Sequence, residues 1–147
     1  MDLLELSRTV AHRLLPAAGA ARVALRVQGE SACVWGARRI LEEMIYNLCE
    51  NAIKYNRPEG SVSLCIQTTA RGTELTVSDT GIGIPREAQS RIFERFYRVD
   101  KSHSRAIGGT GLGLSIVKQG AVFHDAQIEL ESQTDVGTTF RLIFPKK

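Results

Sequence analysis

Between residues 38 and 55, Ile40, Leu41, Met44, Ile45, Leu48, Cys49, Ala52 and Ile53 recur at helical spacing and form one broad apolar stripe. The opposite face carries Glu43, Asn47, Glu50, Asn51 and Lys54. Such a stripe must be buried against a second layer. Four strand patterns supply one, at 61–69 and 73–79 joined around Arg71-Gly72, and at 126–132 and 138–144 joined around Asp135-Val136-Gly137. Pro58 requires the helix to stop near Arg57. Before it, Leu3, Leu6, Val10 and Leu14 predict a helix capped by Asp2 and ended by Pro16 and Gly19. Val23, Leu25 and Val27 predict a strand, and Val34-Trp35 a short second one. A last helix is expected from about Leu112 to Phe123, after a long aperiodic loop at 94–110. The fold class is therefore α+β: a two-layer sandwich with a mixed, mostly antiparallel sheet covered on one face by about three helices.

Composition narrows the class further. At 147 residues, 43% hydrophobic and 24% charged, the chain suits one globular domain and neither a disordered tail nor a coiled coil. It is long enough to bury a core without metal or disulfide. Neither an apolar run of membrane-spanning length nor a signal peptide is seen, so a cytoplasmic location is expected. Cys33, Cys49 and Cys65 are widely spaced and read as small core residues. The net charge is +3, and residues 86–105 hold six basic against three acidic side chains, so the whole excess lies there. Seven of the 13 glycines fall between Gly81 and Gly120. Local positive charge beside glycine suits a phosphate ligand better than a nucleic-acid face.

Three groups of residues point to chemistry. Asn47 and Asn51 lie one helical turn apart, although each asparagine costs about half a kcal/mol relative to alanine in a helix. Their amide oxygens suit Mg²⁺, and Lys54 lies one turn further on, within reach of a phosphate; a solvated polar face is the simpler alternative. Asp79 shares its strand phase with Leu75 and Val77, so it faces the apolar side and needs a partner such as a purine amino group. Gly81 and Gly83 follow, and let backbone and ligand approach closely. Asp79 also fits a turn cap, and Asp79-Thr80-Gly81 fits half of a dimeric aspartic protease. Finally, Gly108-Gly109-Thr110-Gly111-Leu112-Gly113-Leu114 precedes a helix, whose free N–H groups form an anion site. It lacks the lysine of a P-loop and the preceding strand of a dinucleotide fingerprint; a lid without ligand is the alternative. Phe93, Phe96 and Tyr97 alternate with Arg91, Arg95 and Arg98. That pattern anchors a loop, with Arg98 and Arg105 left for phosphate, or binds single-stranded nucleic acid.

Taken in order, these segments resemble the motifs of sensor histidine kinases. Asn47–Tyr55 is similar to their N box, Asp79–Pro85 to the first glycine box, Phe93–Arg98 to the F box, Gly109–Leu114 to the second glycine box and Gly137–Phe140 to the closing one. The resemblance covers roughly 37–144, with 1–35 as lead-in to a single catalytic domain spanning 1–147. It implies the Bergerat fold of the ATPase superfamily that also holds gyrase, heat-shock chaperones and mismatch-repair ATPases, with a mobile ATP lid. The implied ligands are ATP and Mg²⁺. Asn51, with Asn47 beside it, would hold the metal; Lys54 and Arg98 would meet phosphates; Tyr55 would flank the nucleotide. Asp79 would bind the adenine amino group, with Gly81, Gly83, Ile84 and Thr138 around the base. Arg105, Gly109, Thr110, Gly111, Leu112, Gly113 and Leu114 would line the phosphate site.

The resemblance also has consequences beyond the pocket. Asn47 stands where hydrolysing relatives carry glutamate, which favours phosphate transfer. The implied partner is a histidine-bearing dimerisation domain, and indirectly a response regulator, in a parent chain that a membrane anchor would suit. The isolated domain is expected to be monomeric, without nucleic acid. Three departures are noted: Asp125 replaces a usual glycine and Asn56 a usual serine or threonine, both expected to be minor, and the hairpin that carries the acceptor histidine is expected to lie outside this chain. His12, followed by Arg13 in the lead-in, does not match the acceptor histidine, and His103 and His124 are expected to be incidental.

Overall fold

The computed structural model describes residues 1–94 and 113–146. Helix α1 spans Leu3–Ala21, strand β1 Ala24–Gly29, helix α2 Arg38–Lys54, β2 Ser61–Thr69, β3 Gly72–Asp79, helix α3 Gly113–Phe123, β4 Gln127–Gln133 and β5 Gly137–Pro145; a single 3₁₀ turn covers Arg86–Ala88. The loop expected at 94–110 lies, beyond Glu94, outside the described residues.

The five strands form one sheet in the order β1-β2-β3-β5-β4. Only β1 and β2 are parallel, and the remaining neighbours are antiparallel. Parallel strands cannot be joined by a tight turn, so α2 makes the crossover between them. The register sets Leu64 opposite Val77 and Ile66 opposite Leu75. On the other side, Leu75 faces Leu142 and Val77 faces Phe140. These residues are buried, and with them Leu41, Met44, Ile45 and Leu48 of α2. The predicted stripe is thus the side of α2 turned to the sheet, and α1 and α3 flank it. Gly120 makes the α2–α3 approach possible, since a Cβ there would lie 2.5 Å from the Met44 sulfur.

Several local expectations are corrected. Helix α1 runs through Pro16 and Gly19 to Ala21. A proline costs helical hydrogen bonding, but Leu14 and Ala18 on either side of it are buried in the core, and the turn beyond is closed by the Arg22 N–H bonding Ala18 and Gly19 carbonyls. Asp2 caps the helix as expected, its Oδ1 accepting from the Leu4 N–H at 3.0 Å. Val34-Trp35 forms no strand; one isolated bridge joins Asp2 and Cys33. Cys33 is exposed rather than core, whereas Cys49 is buried and its thiol is pushed up to about 12 by desolvation.

His124 is no bystander. It is buried, and its Nδ1 lies 2.8 Å from the Gly120 carbonyl while Nε2 accepts the Ala37 N–H at 3.1 Å. A ring nitrogen against a carbonyl acts as the donor, so the hydrogen bonds select the tautomer with Nδ1–H and with Nε2 as acceptor. Ala37 has no side-chain oxygen to cap α2, and His124 supplies an acceptor at that point from the end of α3. Asp125, next in the chain, has φ of 55°, the left-handed turn that glycine adopts at helix ends.

Candidate functional site

Asp79 ends β3 in the row that Leu75 and Val77 occupy, opposite Val62 on one side and Thr138 on the other. Its carboxylate is half-buried. Oδ1 accepts the Gly81 N–H at 2.8 Å and the Thr138 N–H at 3.2 Å. Among the described residues both bonds fall on Oδ1, which leaves Oδ2 as the available acceptor. Burial pushes the Asp79 pKa upward, and the two N–H donors oppose that shift only in part. The turn-cap alternative is therefore correct for one oxygen, while the other remains for a ligand donor.

The loop after Asp79 is held by three separate parts of the chain. The Ile82 N–H donates to the Tyr55 carbonyl at the end of α2, and the Ile82 carbonyl accepts from the Asp135 N–H in the β4–β5 turn. The Ile84 N–H donates to Ser132 Oγ at 2.7 Å, and Ser132 Oγ contacts Thr138 Oγ1 at 2.9 Å. A Cβ on Gly81 would lie 2.3 Å from the Tyr55 carbonyl, and one on Gly83 2.3 Å from the Gln133 carbonyl. Gly83 has φ of 74° as well. In this structure both glycines are required by the chain's own packing. That requirement adds to the expected close approach of a ligand.

Helix α2 supplies the second part of the site. Asn47 and Asn51 are both half-buried on one face of α2, a turn apart. Asn47 Nδ2 donates to the Glu43 carbonyl at 2.7 Å, which fixes the amide and leaves Oδ1 outward. That oxygen faces the start of α3, where a Cβ on Gly113 would lie 3.0 Å from it. The first turn of α3 therefore lies beside the Asn47 amide oxygen; the helix N–H groups suit an anion, whereas that oxygen suits a cation. Leu114 packs partly buried against the core. Lys54 pairs with Glu50 at 3.4 Å, and both side chains are about one-third exposed. Such a pair is worth under about 1 kcal/mol, so Lys54 can exchange Glu50 for a phosphate. The pKa of Tyr46 is raised by burial and then by the Glu50 carboxylate, so Glu50 is held between Tyr46 and Lys54.

Arg98, Arg105, Gly109, Thr110, Gly111 and Leu112 lie outside the described residues. Sequence reading missed Ser132 and Arg57 and underrated Asn56. Asn56 Oδ1 accepts the Arg57 N–H at 2.8 Å and the Thr80 hydroxyl at 3.2 Å, and Nδ2 donates to the Ser61 carbonyl at 2.9 Å. The departure at Asn56 is therefore not minor. A serine hydroxyl cannot make all three bonds. Among the described residues no cluster of His, Cys, Asp or Glu forms a metal cage. No described helix is long and apolar enough to cross a membrane.

Comparison with known proteins identifies the family. Residues 36–147 match the family described as histidine kinase-, DNA gyrase B- and HSP90-like ATPases. The sensor-like histidine kinase SenX3 of Mycolicibacterium smegmatis is 47% identical over 113 residues, covering 77% of this chain and 29% of that protein. This chain thus spans less than a third of the length of that relative. The mycobacterial sensor histidine kinase MprB superposes with a TM-score of 0.85 at 27% identity, covering 99% of this chain and 96% of that one. Full-length ShkA in complex with AMPPNP superposes with a TM-score of 0.80 at 25% identity, covering 100% of this chain and 31% of that one. Fold, motif order and sequence likeness converge, and the chain belongs to the family of histidine kinase-, DNA gyrase B- and HSP90-like ATPases.

Proposed function

We propose that this chain is the catalytic domain of a sensor histidine kinase, one that binds Mg-ATP and presents the γ-phosphate to a histidine on a dimerisation domain of a longer parent. The observation that carries the reading is Asp79. Its Oδ1 is spent on the Gly81 and Thr138 amides, and its Oδ2 is left as an acceptor at the end of the row that Leu75 and Val77 occupy. An exocyclic amino group satisfies that oxygen, and a rigid loop orients it. Gly81, Gly83, Ile84 and Thr138 complete the base site, and Tyr55 flanks it.

The donor set of α2 fits a divalent cation that brings its own anionic ligands. Asn51 makes no side-chain hydrogen bond with the described residues, and Asn47 presents an amide oxygen beside it. Two neutral oxygens suit Mg²⁺ when phosphates and waters fill the other positions. When bound, the ion neutralises charge on the phosphates. Lys54, Arg98 and Arg105 would share that task, and the main chain of Gly109, Thr110, Gly111, Leu112, Gly113 and Leu114 would line the phosphate site. Phosphoryl transfer of this kind is mainly positioning and electrostatics. Asn47 has no carboxylate to activate water, so transfer is favoured over hydrolysis. Residues 37–144 form the catalytic core and 1–35 its lead-in. The acceptor histidine, a response regulator and any membrane anchor belong to the parent protein and its partners, and this domain works on the cytoplasmic side.

Calorimetry with ATP, with and without Mg²⁺, tests the binding. Incubation with γ-labelled ATP and the parent's histidine-bearing hairpin tests the transfer. Acid-labile label on the hairpin is the expected result. Tight ATP binding with no label would make the domain a nucleotide-binding regulator instead.

A further inference from the structure

We propose that Arg57 is a positioning residue for the base-recognising loop, acting through the main chain of Gly81; the inference rests on the nucleotide reading above. One guanidinium nitrogen, Nη2, donates to the Gly81 carbonyl at 3.2 Å and to the Asp135 carbonyl at 2.9 Å. These carbonyls belong to the loop after β3 and to the β4–β5 turn. The Asp135 N–H returns a bond to the Ile82 carbonyl, so the two segments are tied in both directions. Gly81 is also the residue whose N–H holds Asp79 Oδ1 at 2.8 Å. Whatever displaces Gly81 turns the carboxylate that meets the base.

The remaining polar groups show why Arg57 matters. Ile82 N–H, Ile82 carbonyl and Ile84 N–H bond Tyr55, Asp135 and Ser132, and the Ile84 carbonyl accepts from Gln89 Nε2 at 3.0 Å. Thr80 is fixed by Ser61 and Asn56. Among the described residues, Arg57 is the partner of the Gly81 carbonyl. Its own backbone N–H is anchored on Asn56 Oδ1, so the side chain departs from a fixed point. Arg57 is exposed and touches neither Asn47 nor Asn51; it acts on the site through the loop.

The test compares adenosine and ATP binding to the intact chain, Arg57→Ala and Arg57→Lys, with amide hydrogen exchange followed in parallel. Two charge-assisted bonds at an exposed site are worth about a fivefold change in Kd. Arg57→Ala should weaken adenosine and ATP alike by about that factor, and speed exchange at Gly81 and Ile82 while β2 and α2 stay protected. Arg57→Lys keeps one contact and should lose about twofold. Unchanged adenosine affinity overturns the inference, whether or not ATP affinity falls, because a loss confined to ATP marks a direct phosphate contact. Faster exchange throughout the sheet also overturns it, since the role is then general stability. A parent chain that binds neither ligand sinks the nucleotide reading itself.

Discussion

Asp79→Asn separates ligand recognition from folding. Asparagine is isosteric, so its Oδ1 can keep the bonds from Gly81 and Thr138. The change falls on the other atom, where an acceptor becomes an NH₂ donor. Against an adenine amino group this removes a charge-assisted hydrogen bond and sets donor against donor. Such a bond is worth about 1.5–3 kcal/mol, or roughly a 10- to 150-fold rise in Kd. Because Asp79 is only half-buried, the lower end applies, and ATP affinity should fall at least about tenfold. The fold should respond in the other direction. Burial raises the native pKa of Asp79, so the native state holds that proton more tightly than the unfolded chain does. Between the two pKa values stability then falls as pH rises, and above the native one the penalty is complete. Asp79→Asn carries no such penalty, so its melting temperature at neutral pH should equal or exceed the parent's. The advantage should vanish in acid, where the parent's carboxyl is protonated. ATP binding should tighten as pH rises through the native pKa, because the amino group prefers the ionised acceptor. Calorimetric titration with ATP and thermal melts from acid to neutral pH are the assays. ATP affinity unchanged within about twofold would refute the base-binding role, and a lower melting temperature at neutral pH would refute the electrostatic argument.

Asn51→Ala should weaken ATP binding in Mg²⁺ several-fold more than binding in chelator, measured by paired titrations; equal losses would remove the metal role. Asp125→Gly should stabilise the domain by about 0.5–1 kcal/mol, because the left-handed turn after α3 strains any residue with a Cβ. That appears as a higher denaturant midpoint with an unchanged slope. His124→Leu keeps the apolar volume but leaves the Ala37 N–H without its acceptor, and should cost about 1–2 kcal/mol by the same measurement.

The main elements were legible because their signals are periodic. The stripe from Ile40 to Ile53 predicts α2 almost to the residue, and the alternation Leu75-Val77-Asp79 places a carboxylate on the buried row. Both patterns depend only on backbone geometry, which short-range sequence encodes. Motif order likewise marked the family, since glycine and asparagine at those positions serve one kind of site. The misreadings came where a distant residue overrides a local preference. Pro16 signals a stop, yet burial of Leu14 and Ala18 on either side of it carries α1 onward. Val34-Trp35 has strand composition, but apart from the single Asp2–Cys33 bridge the sheet makes no place for it.

What sequence alone determined is the set of local periods, the family and the residue that must answer a buried charge. Tertiary structure decided the rest: which oxygen of Asp79 is free, that His124 closes the start of α2, and that Asn56, Arg57 and Ser132 hold the loop. Each of those facts rests on at least one hydrogen bond between groups far apart in the chain. Its partner is chosen by sheet register and helix packing, and no local pattern records that choice.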